Sequence, residues 1–139
     1  EALSNKFRKN IERIGELLLS VEPYEKERVE KIRARIVDNL QKTIGVDYDS
    51  NRLEQELIYY IEKLDVNEEK QRLTNHLGYF VEIMDGPIGQ GKKLGFIAQE
   101  MGREINTLGS KSNNAQMQNI VVMMKDELEQ IKEQVLNVM

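Results

Sequence analysis

Apolar residues recur every three or four positions along almost the whole chain, in stripes that stop and restart about six times. Leu3, Phe7, Ile11, Ile14, Leu18 and Val21 form the first stripe, close to a heptad seam. Glu22 and Pro23 open a second helix, since a proline in the first turn lacks only an N–H that would have no intrahelical partner. Val29, Ile32, Ile36 and Leu40 form its buried face, and Gly45 is its natural stop. These two helices are expected to pair as an antiparallel hairpin or coiled-coil arm. Asp47, Asp49 and Ser50 offer caps for a third helix, which carries Leu53, Leu57, Tyr60 or Ile61, and Leu64.

Asp65 followed by Glu68 reads as a variant capping box, and Leu73, Leu77, Phe80 and Met84 continue from it. "DGPIGQG" concentrates glycine and proline and is read as a loop. Leu94, Ile97, Met101, Ile105 and Leu108 then share one face of a fifth helix. Met117, Ile120, Met124, Leu128, Ile131, Val135 and Val138 share one face of a sixth. The expected fold is all-α, a bundle of about six helices with long coiled-coil-like hairpin arms. Residues 1–46 would form a helical linker region and residues 47–139 a C-terminal helical domain. Long seams in so short a chain point to helix partners in other subunits, a homo-oligomer joined through the arms.

Composition narrows the function. With 139 residues the chain suits one ordinary domain, and 32% charged with 40% hydrophobic residues excludes a disordered tail. No apolar run approaches the ~20 residues that span a bilayer, so no membrane partner is expected. Cys is absent, which removes disulfides and thiolate metal sites. A net charge of −4 argues against a generally basic nucleic-acid coat and requires any such contact to be local. The segment from Gln90 to Ser112 is such a place, with Lys92, Lys93, Arg103 and Lys111 against Glu100 and Glu104. "GPIGQG" before Lys92 and Lys93 lacks the ending and the preceding strand of a phosphate loop.

The chemistry concentrates in "QEMGREINTLGSKSN". On a helix, Glu100, Arg103, Glu104, Thr107 and Lys111 line one face while the apolar stripe lines another. Glu100 and Glu104, one turn apart, repel slightly and invite an arginine or a metal ion; an ordinary solvated face is the competing reading. Gly95 and Gly102, two turns apart, would let a neighbouring helix approach closely. Gly109 and Ser110 are expected to end this helix, with Ser112 or Asn113 capping the next. Ser110, Lys111 and Ser112 would then form a phosphate cradle, or simply caps. His76, the single histidine, shares a face with Glu69 and Arg72. It is either a structural residue or a metal ligand with Glu69.

"GKKLGFIAQEMGREINTLGSKSN" followed by "KDELEQIKEQVLN" resembles the C-terminal signature of the YicC-like endoribonuclease family. "NRLEQEL" and "LDVNEEKQRLTNHL" resemble its middle region, in the same order, so the likeness covers residues 47–139. It departs at Gly95, Gly102 and Lys132, where many members carry aspartate, asparagine and arginine, and over residues 136–139. The resemblance implies a bacterial, cytoplasmic, oligomeric protein that cleaves RNA in turnover under stress. It also implies a further N-terminal domain, so that this chain would be the C-terminal half of a longer protein. The function expected on this basis is the helical region of an endoribonuclease. A helical scaffold or an RNA-binding adaptor without catalysis of its own is the alternative. Expected catalytic residues are Glu100, Glu104 and His76, with Glu100, Glu104 and Glu69 holding a divalent metal ion and no organic cofactor. Expected RNA contacts are Arg103, Lys111, Arg72, Lys93, Asn106 and Ser110.

Overall fold

A computed structural model describes residues 2–44, 50–87, 90–112 and 114–137. The described residues form six helices: α1 (Ala2–Leu19), α2 (Glu22–Ile44), α3 (Ser50–Leu64), α4 (Asn67–Met84), α5 (Gly91–Lys111) and α6 (Ala115–Val135). Gly45, Asp47, Asp49, Asn113 and Val138 lie outside the described residues, as do the side chains of Leu40, Ser50, Ile61 and Leu64.

Helices α1, α4, α5 and α6 close a four-membered ring in which each packs on two neighbours. All four junctions are antiparallel. Phe7 meets Phe80 edge-on, with ring centroids 5.4 Å apart, and Arg8 pairs with Asp85, so the start of α1 lies beside the end of α4. The remaining junctions follow the same sense, as the contacts of α5 with α4 and of α6 with α5 show below, and three antiparallel steps round the ring leave α6 antiparallel to α1. One continuous core fills the ring, with Phe7, Ile14, Leu73, Phe80, Met101, Ile105, Met117, Met124 and Ile131 almost wholly out of water. These are the stripe residues of the four helices, which is why the stripes exist.

The expected pairing of the first two helices is not what forms. α1 lies on α6 and α4, while α2 packs on α3. Ile32, Ile36, Leu53 and Leu57 make a second, separate cluster, so α2 and α3 are the arm. Polar contacts fasten that arm to the ring. Buried Arg28 donates from Nη1 to the Lys111 carbonyl at 2.6 Å, and Lys70 Nζ reaches Glu22 at 2.7 Å and Glu25 at 3.0 Å. Burial lowers the Arg28 guanidinium from its ordinary pKa, and the charges of Glu25 and Asp65 oppose that shift.

Helix ends also differ from expectation. No side chain caps α4; instead Asp65 Oδ1 accepts from the Asn67 N–H at 3.1 Å, a local turn two residues on. Asn114 caps α6, its Oδ1 accepting from the Met117 N–H at 3.0 Å. Ser112 instead closes α5 in an extended conformation.

Candidate functional site

Glu69 to His76 and Glu104 to Lys111 are each seven residues, or about two turns of helix. Antiparallel packing of α4 on α5 therefore sets Glu69 against Lys111 and His76 against Glu104. Both rungs are present. Lys111 Nζ lies 3.1 Å from Glu69 Oε2, and His76 Nε2 lies 3.5 Å from Glu104 Oε2. Leu73, Leu77, Met101, Ile105 and Leu108 pack inward beside them, which fixes the register.

The two rungs are chemically different. Glu69 is buried, and Lys111 Nζ donates to both its carboxylate oxygens and, at 3.0 Å, to the Asp65 carbonyl. This rung is a satisfied ion pair joining α4, α5 and the α3–α4 connection. It draws Glu69 away from the other carboxylates and ties down Lys111. Ser110 and Lys111 belong to the last turn of α5, where carbonyls rather than N–H groups point outward. The phosphate-cradle reading is therefore replaced by a C-terminal cap. The Gln118 side chain completes it by donating to the carbonyls of Gly109 and Ser112.

The second rung is incompletely paired. Glu104 is 6% exposed in its side chain, with Arg72 Nη1 at 3.8 Å on one oxygen and His76 on the other. His76 Nε2 is buried without a hydrogen bond among the described residues, although the ring as a whole is 25% exposed. Glu100, one turn from Glu104, completes the group: one ligand atom from each of His76, Glu100 and Glu104 lies within 4.8 Å of the others. Opposite ligands around a divalent ion stand about 4.2 Å apart, so a small turn of one carboxylate would make a common centre. An unsatisfied imidazole nitrogen facing two carboxylates is a donor set that fits such an ion.

The cationic side chains divide in the same way. Arg72 sits beside the cluster and also pairs with Glu68. Arg103 is 76% exposed and makes a long ion pair with Glu100 at 4.0 Å, which leaves most of its guanidinium facing solvent. Asn106 and Ser110 are exposed on the same helix, with the Ser110 hydroxyl donating to the Thr107 carbonyl at 2.9 Å. Lys93 is exposed in the first turn of α5, about 16 Å along the axis from Glu104. A groove of about 660 Å³ opens on the next seam, between α5 and α6, and is lined by Lys92, Gly95, Phe96 and Lys132 rather than by the cluster.

Two buried polar side chains were not singled out from the pattern, Arg28 and Asn10. Asn10 falls on the seam between Phe7 and Ile14, and that spacing was the signal available for it.

A family model described as "Endoribonuclease YicC-like, C-terminal" matches residues 21–139. The chain is similar to a protein of Clostridioides difficile (strain 630) named "Probable endoribonuclease YicC", with 38% identity over 122 residues. That alignment covers 81% of this chain and 42% of the relative. A protein of Haemophilus influenzae (strain ATCC 51907 / DSM 11121 / KW20 / Rd) with the same name is 40% identical over 92 residues, which is 66% of this chain and 32% of that protein. The chain thus spans less than half the length of either relative.

Proposed function

Because the chain belongs to the YicC-like endoribonuclease family, matching its C-terminal part, we propose that its α4–α5 face is the hydrolytic centre of an RNA-cleaving protein. The observation that carries this reading is the convergence of His76, Glu100 and Glu104 within 4.8 Å on the α4–α5 seam, with Glu104 buried and the other two half-buried. These three side chains would hold a divalent cation. When bound, such an ion supplies Lewis acidity and a nucleophile at neutral pH.

The chain's own residues do the rest. Arg103 and Arg72 hold the non-bridging oxygens of a phosphodiester and offset the charge that grows on them in the transition state. Glu100, the more exposed carboxylate, accepts the proton of the attacking hydroxyl, which is either water or the ribose 2′-hydroxyl. The new P–O bond forms as the bond to the next nucleotide breaks, the departing alkoxide takes a proton from water, and Glu100 releases the proton it accepted to solvent, which restores both. RNA is the partner on this reading. A homo-oligomer built through the α2–α3 arm, an N-terminal domain and a bacterial cytoplasmic setting complete it; the exposed Ile58 and Tyr59 of the arm support the assembly.

The Glu69–Lys111 rung favours a second reading, in which the polar run is an interhelical strut and the chain is a scaffold. Cleavage of a defined RNA, with and without divalent metal, separates the two. On the hydrolytic reading, Glu104→Gln and Arg103→Ala each reduce cleavage by about a hundredfold or more with the fold intact. Unchanged cleavage in both variants, with a lowered melting temperature for Glu104→Gln, selects the scaffold.

A further inference from the structure

Arg72, His76 and Tyr79 follow one another along α4 at steps of four and three, so they form one stripe. Arg72 and His76 both reach Glu104 of α5, and the stripe therefore borders the α4–α5 seam. Tyr79 is 47% exposed, whereas Leu77 and Phe80 on either side of it are buried in the core. Its ring thus lies on the helix surface. It makes no ring contact and its hydroxyl no hydrogen bond among the described residues. With His76 level with Glu104, the antiparallel register sets Tyr79 within about 1.5 Å of the level of Glu100.

The seam therefore has a sequence of chemistries along its axis. Arg72 lies about 6 Å to one side of His76 and Tyr79 about 4.5 Å to the other. A cation, a polar cluster and an exposed aromatic ring follow in that order. A nucleotide divides in the same way, into a charged phosphate and a flat, largely apolar base. Glu82, exposed three residues beyond Tyr79, repels a further phosphate on that side but not a base. A phosphate beside Arg72 and the cluster would leave its neighbouring base within reach of the tyrosine ring. Only an unpaired base can lie there, because a paired one is already stacked within its helix.

We propose that Tyr79 is the base-stacking residue of the α4–α5 face, so that this face selects RNA whose base beside the scissile phosphate is unpaired. The proposal rests on the hydrolytic reading of that face for the position of the phosphate. Every base has a π-face, so the contact discriminates paired from unpaired RNA and is tolerant of sequence.

Anisotropy of the full chain, with metal chelated, tests this on two fluorescent strands of equal length: a short oligoadenylate and the same ribose-phosphate strand without bases. The unaltered chain should bind the oligoadenylate about tenfold more tightly, within the range for one base stacked on an aromatic side chain. Tyr79→Ala should bring the ratio to about one while leaving affinity for the baseless strand unchanged, an outcome that a folding defect would not give. Tyr79→Phe should keep the ratio. Phe96→Ala should keep it too, since that ring lines the α5–α6 groove. A ratio of one in the unaltered chain overturns the proposal, as does a ratio kept in Tyr79→Ala or lost in Phe96→Ala. With divalent metal restored, Tyr79→Ala should raise KM about tenfold with kcat nearly unchanged, the mark of lost binding rather than lost chemistry. Cuts in an RNA that has both a stem and a loop should fall in the loop, and cuts spread equally over both overturn the proposal. The two readings fail separately. A preference for bases without cleavage by the unaltered chain removes only the hydrolytic reading, and cleavage without the preference removes only the stacking contact.

Discussion

Gly109 faces Val121 so closely that a Cβ built on the glycine would stand 3.0 Å from Val121 Cγ1. Gly102 and Gly95 repeat the arrangement at seven-residue steps, against Leu128 at 3.2 Å and Val135 at 3.5 Å. The glycines form a ladder down the α5–α6 seam, and the close helix approach expected of Gly95 and Gly102 is made by α6. Alanine should affect the three rungs differently. A helical alanine gains up to about 1 kcal/mol over glycine. Gly95→Ala meets only an ordinary contact and should raise the melting temperature by about 3–5 °C. Gly109→Ala presses a methyl on a stiff β-branched side chain and should lower it, and Gly102→Ala should fall between. Thermal denaturation of the three variants checks the order; a uniform gain would mean that α6 sits farther away than described.

The Lys111–Glu69 pair carries a different expectation. Removing the lysine leaves a carboxylate buried without its cation, whereas replacing both partners with apolar groups leaves nothing unsatisfied. Lys111 is partly exposed, so water repays part of the loss. Lys111→Met should therefore cost about 1–3 kcal/mol, and Lys111→Met with Glu69→Leu should recover most of it. Urea unfolding of the single and double variants gives the coupling directly. Additive losses would show that the two side chains act independently.

The stripes show which face of each helix is buried, and they do so well for α5, where all five expected residues are inside. They do not show which helix covers that face. The stripe of α1 suits α2 as well as it suits α6, and only the competition among all six helices decides the outcome. The site was legible to a similar depth. Glu69 and His76 share the spacing of Glu104 and Lys111, but the register that pairs them is set by Leu73, Met101 and Leu108 across the seam. Asn10 and Arg28 escaped notice because polar residues on an apolar stripe read as interruptions, although both are buried and bonded.

Ion pairs between distant helices make stability depend on pH at both ends of the scale. The hydrogen bond from Lys70 and its charge hold the Glu22 carboxyl below its ordinary 4.5, and the hydrogen bond from Arg8 holds Asp85 below 3.8. A carboxyl lowered in the folded state contributes fully above its unfolded pKa and loses that contribution as pH falls through the folded value. Burial lowers Lys70, but the hydrogen bonds and charges of Glu22 and Glu25 outweigh it and hold the amine above 10.5. That contribution is present below 10.5 and disappears as pH rises through the raised value. Melting temperature should thus be flat through neutrality, decline below about pH 4.5 and decline again at strongly alkaline pH. Glu22→Gln with Asp85→Asn should flatten the acid limb, and Lys70→Met the alkaline one. An acid limb unchanged in the double variant would place its cause in other carboxylates.

A cation that binds only the folded chain stabilises it by mass action, by about 2.7 kcal/mol at a hundredfold excess over its dissociation constant. The His76, Glu100 and Glu104 cluster mixes one imidazole with two carboxylates, a set that suits Mn²⁺ or Zn²⁺ better than Mg²⁺, which prefers oxygen ligands and retains its waters. Mn²⁺ should therefore raise the melting temperature of the chain by several degrees, Mg²⁺ by less, and chelation should reverse both. His76→Ala and Glu104→Gln should abolish the Mn²⁺ shift. Lys111→Met should keep it even though its own baseline is lower, because its rung lies two turns from the cluster. A shift of equal size in all three variants would locate the ion elsewhere on this acidic surface and leave the cluster as a charged seam between α4 and α5.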